Sequence, residues 1–143
     1  MIKHVSIITV LLILFSGMLP SCTQNDGNIG DWFGHWKLLS ITVDGIESSE
    51  YEGNIFFSFQ SSVFCQIKVS PDNHGGDHKF ANFKDNGEYI TVTFSTERYR
   101  PFEETLMKMG ENVLHVDFLD GNDMQLSMNT DTGSKVVFKL KKW

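Results

Sequence analysis

The sequence is poor in the residues that mark fibrous or nucleic-acid-binding chains. Only 12 Gly and 3 Pro occur among its 143 residues, which excludes a collagen-like chain. Hydrophobic residues make up 41% and charged residues 21%, which also excludes a coiled coil or a wholly disordered chain. Lys and Arg number 12 against 18 Asp and Glu. Because phosphate binding needs clustered basic residues, this balance argues against a nucleic-acid partner.

Residues 1–21 are interpreted as an export signal and not as part of the fold. Lys3 supplies a positive charge, and the mainly apolar run Val5–Phe15 follows it. That run is too short to cross a bilayer as a permanent helix. Residues 19–22 read Leu-Pro-Ser-Cys, which resembles the cleavage motif of bacterial lipoproteins. The resemblance implies that Cys22 becomes the lipidated first residue; an ordinary signal peptide, cleaved just before it, is the alternative.

Residues 22–31 are polar and contain glycine, so we interpret them as a flexible tether. The remaining chain, 32–143, is long enough for one hydrophobic core and not for two. The lipoprotein resemblance implies attachment to the cell envelope, in the periplasmic or the surface leaflet of the outer membrane. We expect a monomer whose membrane contact is this lipid anchor.

The sequence contains only 2 cysteines, Cys22 and Cys65. If Cys22 is acylated it cannot form a disulfide, and Cys65 remains a lone thiol. A lone cysteine on an apolar strand is more often a small buried side chain than a nucleophile. A Cys22–Cys65 disulfide is the alternative interpretation.

From Trp36 onward the hydrophobic period is two, which is typical of half-buried strands. Turn signals such as Asp44-Gly45 and Asp85-Asn86-Gly87 separate the runs. The eight strand candidates are 36–43, 54–59, 63–69, 78–84, 88–94, 113–118, 124–128 and 135–143. We predict an all-β domain that forms an eight-stranded antiparallel up-and-down barrel, because closure removes exposed sheet edges. A β-sandwich is the alternative.

Residues 101–110 interrupt the strand pattern. Phe102, Leu106 and Met109 have helical spacing, and Pro101 and Gly110 are suitable ends for a helix. We predict a two-turn helix or an ordered loop that covers one opening of the barrel; another strand is the alternative.

Gly34-His35-Trp36 opens the first strand and resembles the Gly-x-Trp signature of lipocalins. Residues 119–126, followed by 137–140, also look like the closing hairpin of lipocalin-like lipoproteins common in Bacteroidetes. The family resemblance implies that the Trp crosses the closed floor of the barrel against a basic residue of the last strand, where Lys142 is also available. The residues assigned to the floor are Gly34, Trp36, Lys139 and Lys141.

The family resemblance implies a cup that can hold a small apolar molecule. We predict that aromatic and methionine side chains line it and that a basic side chain meets a carboxylate at the mouth. The candidate ligand-binding residues are Phe57, Phe59, Phe80, Met107, Met124 and Arg98. The same rings could instead fill the barrel as its core, and the protein would then act as a protein-interaction module in the envelope.

No arrangement in the sequence predicts catalysis or a cofactor. His74, Asp77 and His78 could ligate a divalent metal, but Gly75-Gly76 argues against the helix that would align them. We predict a solvated loop here, without metal. A Ser-His-Asp order, a nucleophile turn and a phosphate-binding glycine loop are not found in the sequence. We therefore predict a non-enzymatic protein.

Replacing Cys22 with Ser should abolish lipid attachment, because the serine hydroxyl cannot replace the acylated thiol. After expression in a bacterium that processes lipoproteins, we expect the variant to move from the detergent phase to the aqueous phase, since several acyl chains anchor durably and none remains. Intact-mass measurement reads the modification directly. The matched control Cys65→Ser should keep the lipid; an unmodified Cys22 in the native chain would contradict the prediction.

Overall fold

Antiparallel strands follow one another along residues 31–143, the part of the chain that the computed structural model describes. In chain order they are β1 (Gly34–Val43), β2 (Ile46–Glu47), β3 (Ile55–Gln60), β4 (Val63–Ser70), β5 (Asn73–Asp85), β6 (Tyr89–Phe94), β7 (Gly110–Leu119), β8 (Asp123–Asn129) and β9 (Lys135–Lys142). The predicted signal peptide, Cys22 and most of the predicted tether lie outside these residues.

The sheet closes on itself, which confirms the predicted barrel over the sandwich. β1 pairs with β3, and each later strand pairs with the next as far as β9. β9 then pairs with β1 along most of its length, so that eight strands form a closed ring. The two-residue β2 is an addition beside the end of β1. No helix in residues 31–143 is long and apolar enough to cross a membrane.

One predicted loop is wrong, since β5 begins at Asn73 and not near His78. A register shift between Lys68 and Ser70 keeps the two strands paired through this polar stretch. Gly76 has a φ of +72°, a conformation that glycine adopts at little cost. The turn-forming residues of this stretch are therefore part of an irregular strand, and His78 lies in the same strand.

Interlocked aromatic rings fill the barrel interior. Phe57 meets Phe64 and Phe138 edge to face, with ring centres 5.1 and 5.5 Å apart. Phe59 meets Phe64 at 5.1 Å and Phe83 at 5.3 Å. All five side chains are buried. Such contacts add to the stabilisation from burial alone, so the rings form a core.

Trp36 crosses the barrel floor as the lipocalin resemblance implies, but its basic partner is Lys142. The Lys142 ammonium lies 4.5 Å from the centre of the Trp36 ring and donates to the Phe33 carbonyl. The Trp36 indole N–H donates to the Trp32 carbonyl at 2.9 Å. Burial lowers the pKa of Lys142. Gly34 is needed here because its φ is +116° and a Cβ would lie 3.1 Å from the Lys142 ammonium.

The assignment of Lys139 and Lys141 to the floor was wrong. Side chains alternate along β9, and Leu140 points inward with 1% of its surface exposed. Its neighbours on both sides therefore point outward, and the next inward position is Lys142.

The 101–110 segment is an ordered loop and not a two-turn helix. Short 3-10 turns occupy Glu97–Tyr99 and Glu103–Thr105. The second turn ends at Leu106, whose φ of +56° is left-handed and whose side chain is 44% exposed. Phe102 is buried whereas Leu106 is exposed, so the residues with helical spacing do not share one face.

Replacing Trp36 with Ala should lower the free energy of unfolding by about 3–5 kcal/mol, because it leaves a cavity at the floor and removes the partner of Lys142. Urea denaturation measures the change. Trp143→Ala is the matched control, since Trp143 is 75% exposed, and it should have a small effect. A loss for Trp36→Ala no larger than that of the control would contradict the prediction.

Candidate functional site at the barrel mouth

The end of the barrel opposite Trp36 is closed by residues of the 101–110 segment. Phe102 and Met107 are 8% and 7% exposed, and Thr105 between them is fully buried. The Thr105 hydroxyl donates to the Phe102 carbonyl at 2.7 Å. These three side chains form the mouth plug, whose residues point inward while Leu106 faces solvent.

A buried glutamine binds the mouth plug from inside the barrel. Gln66 is on β4, two residues after the core residue Phe64, and has no exposed surface. Its Oε1 accepts the Phe102 N–H at 2.9 Å, and its Nε2 donates to Thr105 Oγ1 at 3.0 Å. The same Nε2 lies 3.2 Å from the Met107 sulfur. Since an unpartnered buried amide is costly, Gln66 depends on the plug for its hydrogen bonds.

Two lysines cover the Phe102 ring at the mouth. The ammonium groups of Lys68 and Lys79 lie 5.7 and 5.4 Å from the ring centre, within the range of a cation–π interaction. Lys68 also pairs with Glu104, and Lys79 lies 3.1 Å from the Asp77 carboxylate. Burial alone would raise the pKa of Glu104, but the hydrogen bond from Lys68, a backbone hydrogen bond and the charge of Lys68 together outweigh it and lower the pKa.

An open cleft of about 820 Å³ lies beside the mouth plug, between the 101–106 segment and the upper end of β1. Ile41 and Val43 supply apolar wall, and Tyr51 lies opposite the lysines. The Tyr51 hydroxyl donates to the Leu38 carbonyl at 2.7 Å and accepts the Ile55 N–H at 3.1 Å. Burial raises the pKa of Tyr51 to about 12, so its hydroxyl is neutral at physiological pH. The cleft therefore offers apolar wall, a neutral hydroxyl and charged groups together.

The structure separates the predicted ligand-binding residues. Met107 is in the mouth plug, whereas Phe57, Phe59 and Met124 are at most 2% exposed inside the barrel. Phe80 is not inside the barrel, because the inward positions of β5 are taken by its neighbours in the alternating pattern.

Phe80 is 41% exposed on the outer face, where its ring meets Tyr99 at 5.1 Å and stacks on His78 at 6.0 Å. Arg98 lies beside this group, in a shallow cleft of about 460 Å³. Arg98 is thus associated with the outer aromatic residues and not with the mouth plug. Asp77 faces Lys68 across the ladder while His78 points the other way, and no group of three His, Cys, Asp or Glu side chains within 31–143 could hold a metal ion.

The sequence reading missed Gln66, Lys68 and Lys79. The available signal was a polar residue at an inward position of an apolar strand, since Gln66 shares its face with Phe64. A polar side chain at such a position requires a partner inside the fold. The partners lie about 36 residues further along the chain, beyond the reach of local patterns.

A second polar cluster, on the outer face, is not arranged for nucleophilic catalysis. Asp117 accepts from Ser127 at 2.8 Å and lies 2.7 Å from His115 Nδ1. The serine therefore donates to the carboxylate and not to the imidazole that would act as its base. Burial alone would raise the pKa of Asp117, but hydrogen bonds from His115, Gln125 and Ser127 outweigh it and lower the pKa.

Cys65 is 5% exposed, and burial raises the pKa of its thiol to about 11. At neutral pH it is overwhelmingly the thiol, the unreactive form. Cys65 is therefore packed like a small buried side chain.

Replacing Gln66 with Leu should loosen the mouth plug, because the Phe102 N–H loses its buried acceptor and Thr105 loses a donor. We expect the free energy of unfolding to fall by about 1–3 kcal/mol, measured by urea denaturation. Gln60→Leu is the matched control, since Gln60 is exposed at the end of β3. Equal stability of the two variants would show that Gln66 does not hold the plug.

Comparison with known proteins identifies the fold. No protein-family model matches the chain, and no curated protein sequence matches it. A lipocalin-like protein from Bacteroides uniformis is 23% identical, with 80% of this chain and 100% of that chain covered and a TM-score of 0.59. An uncharacterized protein from Bacteroides eggerthii is 19% identical, with 78% and 99% covered and a TM-score of 0.56. Together with the closed barrel and the Trp36 floor, these likenesses show that residues 31–143 have a lipocalin-like fold.

Proposed function

We propose that this protein is a lipid-anchored binding protein of the cell envelope that accepts a small apolar ligand at the barrel mouth. The observation that carries the proposal is the seating of Phe102. An aromatic ring from a loop is buried in the mouth, hydrogen-bonded through its backbone to Gln66 and covered by two lysines. The chain thus places one of its own side chains where a ligand of similar size and polarity would bind.

Ligand binding at this site is an exchange and not the filling of an empty cup. The rings of Phe57, Phe64 and Phe138 occupy the barrel below the mouth. A ligand must therefore displace Phe102 and supply apolar surface of its own, worth about 25 cal/mol per Å² before ordering costs. The ligand should be small, with a polar group that can replace the plug's hydrogen bonds to Gln66.

The short loop that carries Phe102 supports this exchange. Residues 101–109 contain a single 3-10 turn and no strand pairing. They are held by Gln66, the two lysines, the apolar contacts of the plug and two hydrogen bonds between the Asn112 side chain and the Lys108 backbone. A segment with few backbone hydrogen bonds opens at lower cost than the paired strands around it.

The remaining parts of the proposal come from the sequence. Cys22 carries the lipid, residues 22–31 link it to the barrel, and the protein acts as a monomer without a cofactor or a catalytic step. The Ser127 hydroxyl donates to the Asp117 carboxylate and not to His115, so this cluster contains no serine–imidazole pair.

A protein-interaction module is the second candidate function. The observation in its favour is the filled interior, which leaves the surface as the place of recognition. Phe80 and Phe118 are 41% and 50% exposed, and exposed aromatic side chains are frequent in protein interfaces.

Native mass spectrometry of the full protein, extracted from its own envelope, distinguishes the two functions. We expect an additional mass of a few hundred daltons that is lost on denaturation, because a bound ligand is buried in the mouth. A protein that carries only its lipid modification in every preparation would favour the interaction module.

Replacing Phe102 with Ala should open the mouth to a small apolar probe. We expect 1-anilinonaphthalene-8-sulfonate to bind about tenfold more tightly or better, since burying a Phe side chain is worth about 1.5–3 kcal/mol and the probe no longer competes with it. Fluorescence titration measures the affinity, and near-UV circular dichroism checks that the fold is kept. Leu106→Ala is the matched control, because Leu106 lies in the same loop but is exposed. Equal affinities of the two variants for the probe would show that the mouth is not the binding site.

A further inference from the structure

We propose that the floor end of the barrel docks on an anionic lipid surface through a lower patch formed by Phe33, Lys37, Phe56, Lys141 and Trp143. This proposal rests on the proposed lipid anchor, but it concerns a second contact, made by side chains of the folded domain. The occupant is a bilayer surface that carries anionic headgroups.

Strand pairing brings Lys37, Phe56 and Lys141 of the lower patch together on the outer face of three adjacent strands, with Phe33 just before β1 and Trp143 just after β9. Lys37 is directly opposite Lys141 across β1 and β9, and opposite Phe56 across β1 and β3. The Trp143 ring meets the Phe56 ring edge to face at 5.3 Å. The Lys37 ammonium lies 5.5 Å from the Trp143 ring centre. Cations and aromatic rings are therefore interleaved within one surface.

The aromatic part of the patch is unusually exposed for side chains of this size. Trp143 is 75% exposed and Phe33 is 41% exposed, whereas Trp32 and Trp36 nearby are buried. Tryptophan combines an apolar body with a polar N–H, and it is enriched where a membrane meets water. A bilayer interface would cover this surface without requiring a cavity.

The charge of the patch also favours an anionic surface. The chain has a net charge of −6, and around the mouth Lys68, Lys79 and Lys108 are each paired with a carboxylate. Lys37 and Lys141 form no ion pair with any residue in 31–143.

Asp123 and Asp31 form no ion pair with the lysines of the patch. Asp123 faces Lys141 across β8 and β9 without forming an ion pair. Asp31 acts electrostatically on Lys142, the partner of Trp36. The ammonium groups of Lys37 and Lys141 are thus available to lipid headgroups, and each of these cations is attracted to an anionic surface.

The position of the predicted anchor places a bilayer next to this end of the barrel. Asp31 lies just before β1 at the floor end, and Cys22 precedes Asp31 by nine residues. Nine residues span at most about 30 Å when fully extended. A lipid on Cys22 therefore keeps the floor within that distance of the membrane.

The test uses Trp143 as a reporter in the full, acylated chain inserted into vesicles. One set contains phosphatidylcholine alone, and the other contains phosphatidylcholine with phosphatidylglycerol, each with and without brominated acyl chains. Subtracting the emission of Trp143→Phe isolates Trp143 from the two buried tryptophans. With phosphatidylglycerol present, we expect the Trp143 emission to shift to shorter wavelength and to be quenched by the brominated chains.

A double charge reversal tests the lysines directly. Lys37→Glu with Lys141→Glu should reduce quenching of Trp143 by about tenfold or more, as expected for the loss of two cations near an anionic surface. Arg98→Glu with Lys135→Glu is the matched control, because it makes the same charge change at exposed positions towards the mouth. This control should retain the quenching.

Failure of the docking proposal is distinguishable from failure of the anchor. A chain that floats with the vesicles while Trp143 remains unquenched overturns the docking and leaves the anchor intact. If the chain is found to carry no lipid and does not float with the vesicles, the anchor is overturned, and the docking rests on that anchor. Equal quenching in both double variants shows that the lower patch does not face the bilayer.

Discussion

The stacking of Lys142 on Trp36 is the interaction on which the rest of the structure depends. It joins the first and last strands of the barrel at the point where the sheet would otherwise end. Without closure, β1 and β9 would both present unpaired backbone groups. Because Gly34 leaves room for the lysine, residues from the two ends of the barrel sequence complete one floor. The ring of strands above that floor can then be filled by alternating inward side chains.

A barrel filled with aromatic rings leaves little space for a separate ligand. The proposed ligand site is therefore at the mouth. Phe102 completes the core from above, in the same way that Trp36 completes it from below. The difference lies in the backbone, since Trp36 is in a paired strand and Phe102 is in a short loop. The floor is therefore the permanent closure, and the mouth is the closure that can open at moderate cost. This asymmetry is the physical basis of the proposed binding function.

The two ends also differ in how their charges are arranged. At the mouth, Lys68 and Lys79 are each paired with carboxylates and lie against an aromatic ring, so their charge is internally compensated. At the floor end, Lys37 lies over an exposed tryptophan without a carboxylate partner among the described residues. A protein held by a lipid at one end would benefit from this polarity, because the bound end meets headgroups and the open end meets solution.

The sequence by itself determined the strands and the residue that closes the floor. A period of two and turn signals such as Asp44-Gly45 are local properties, and the Gly-x-Trp signature marks one position, so both can be read without knowing the fold. Only the tertiary structure decided which basic residue meets Trp36, why Phe80 lies outside, and what Gln66 binds. An alternating pattern indicates that neighbouring side chains point in opposite directions, but it does not indicate which of them points inward. The inward side depends on strand register and on irregularities such as the shift between Lys68 and Ser70. The Gln66 contacts to Phe102 and Thr105 join residues 36 and 39 positions apart, and they exist only because barrel closure brings the 101–110 loop over β4.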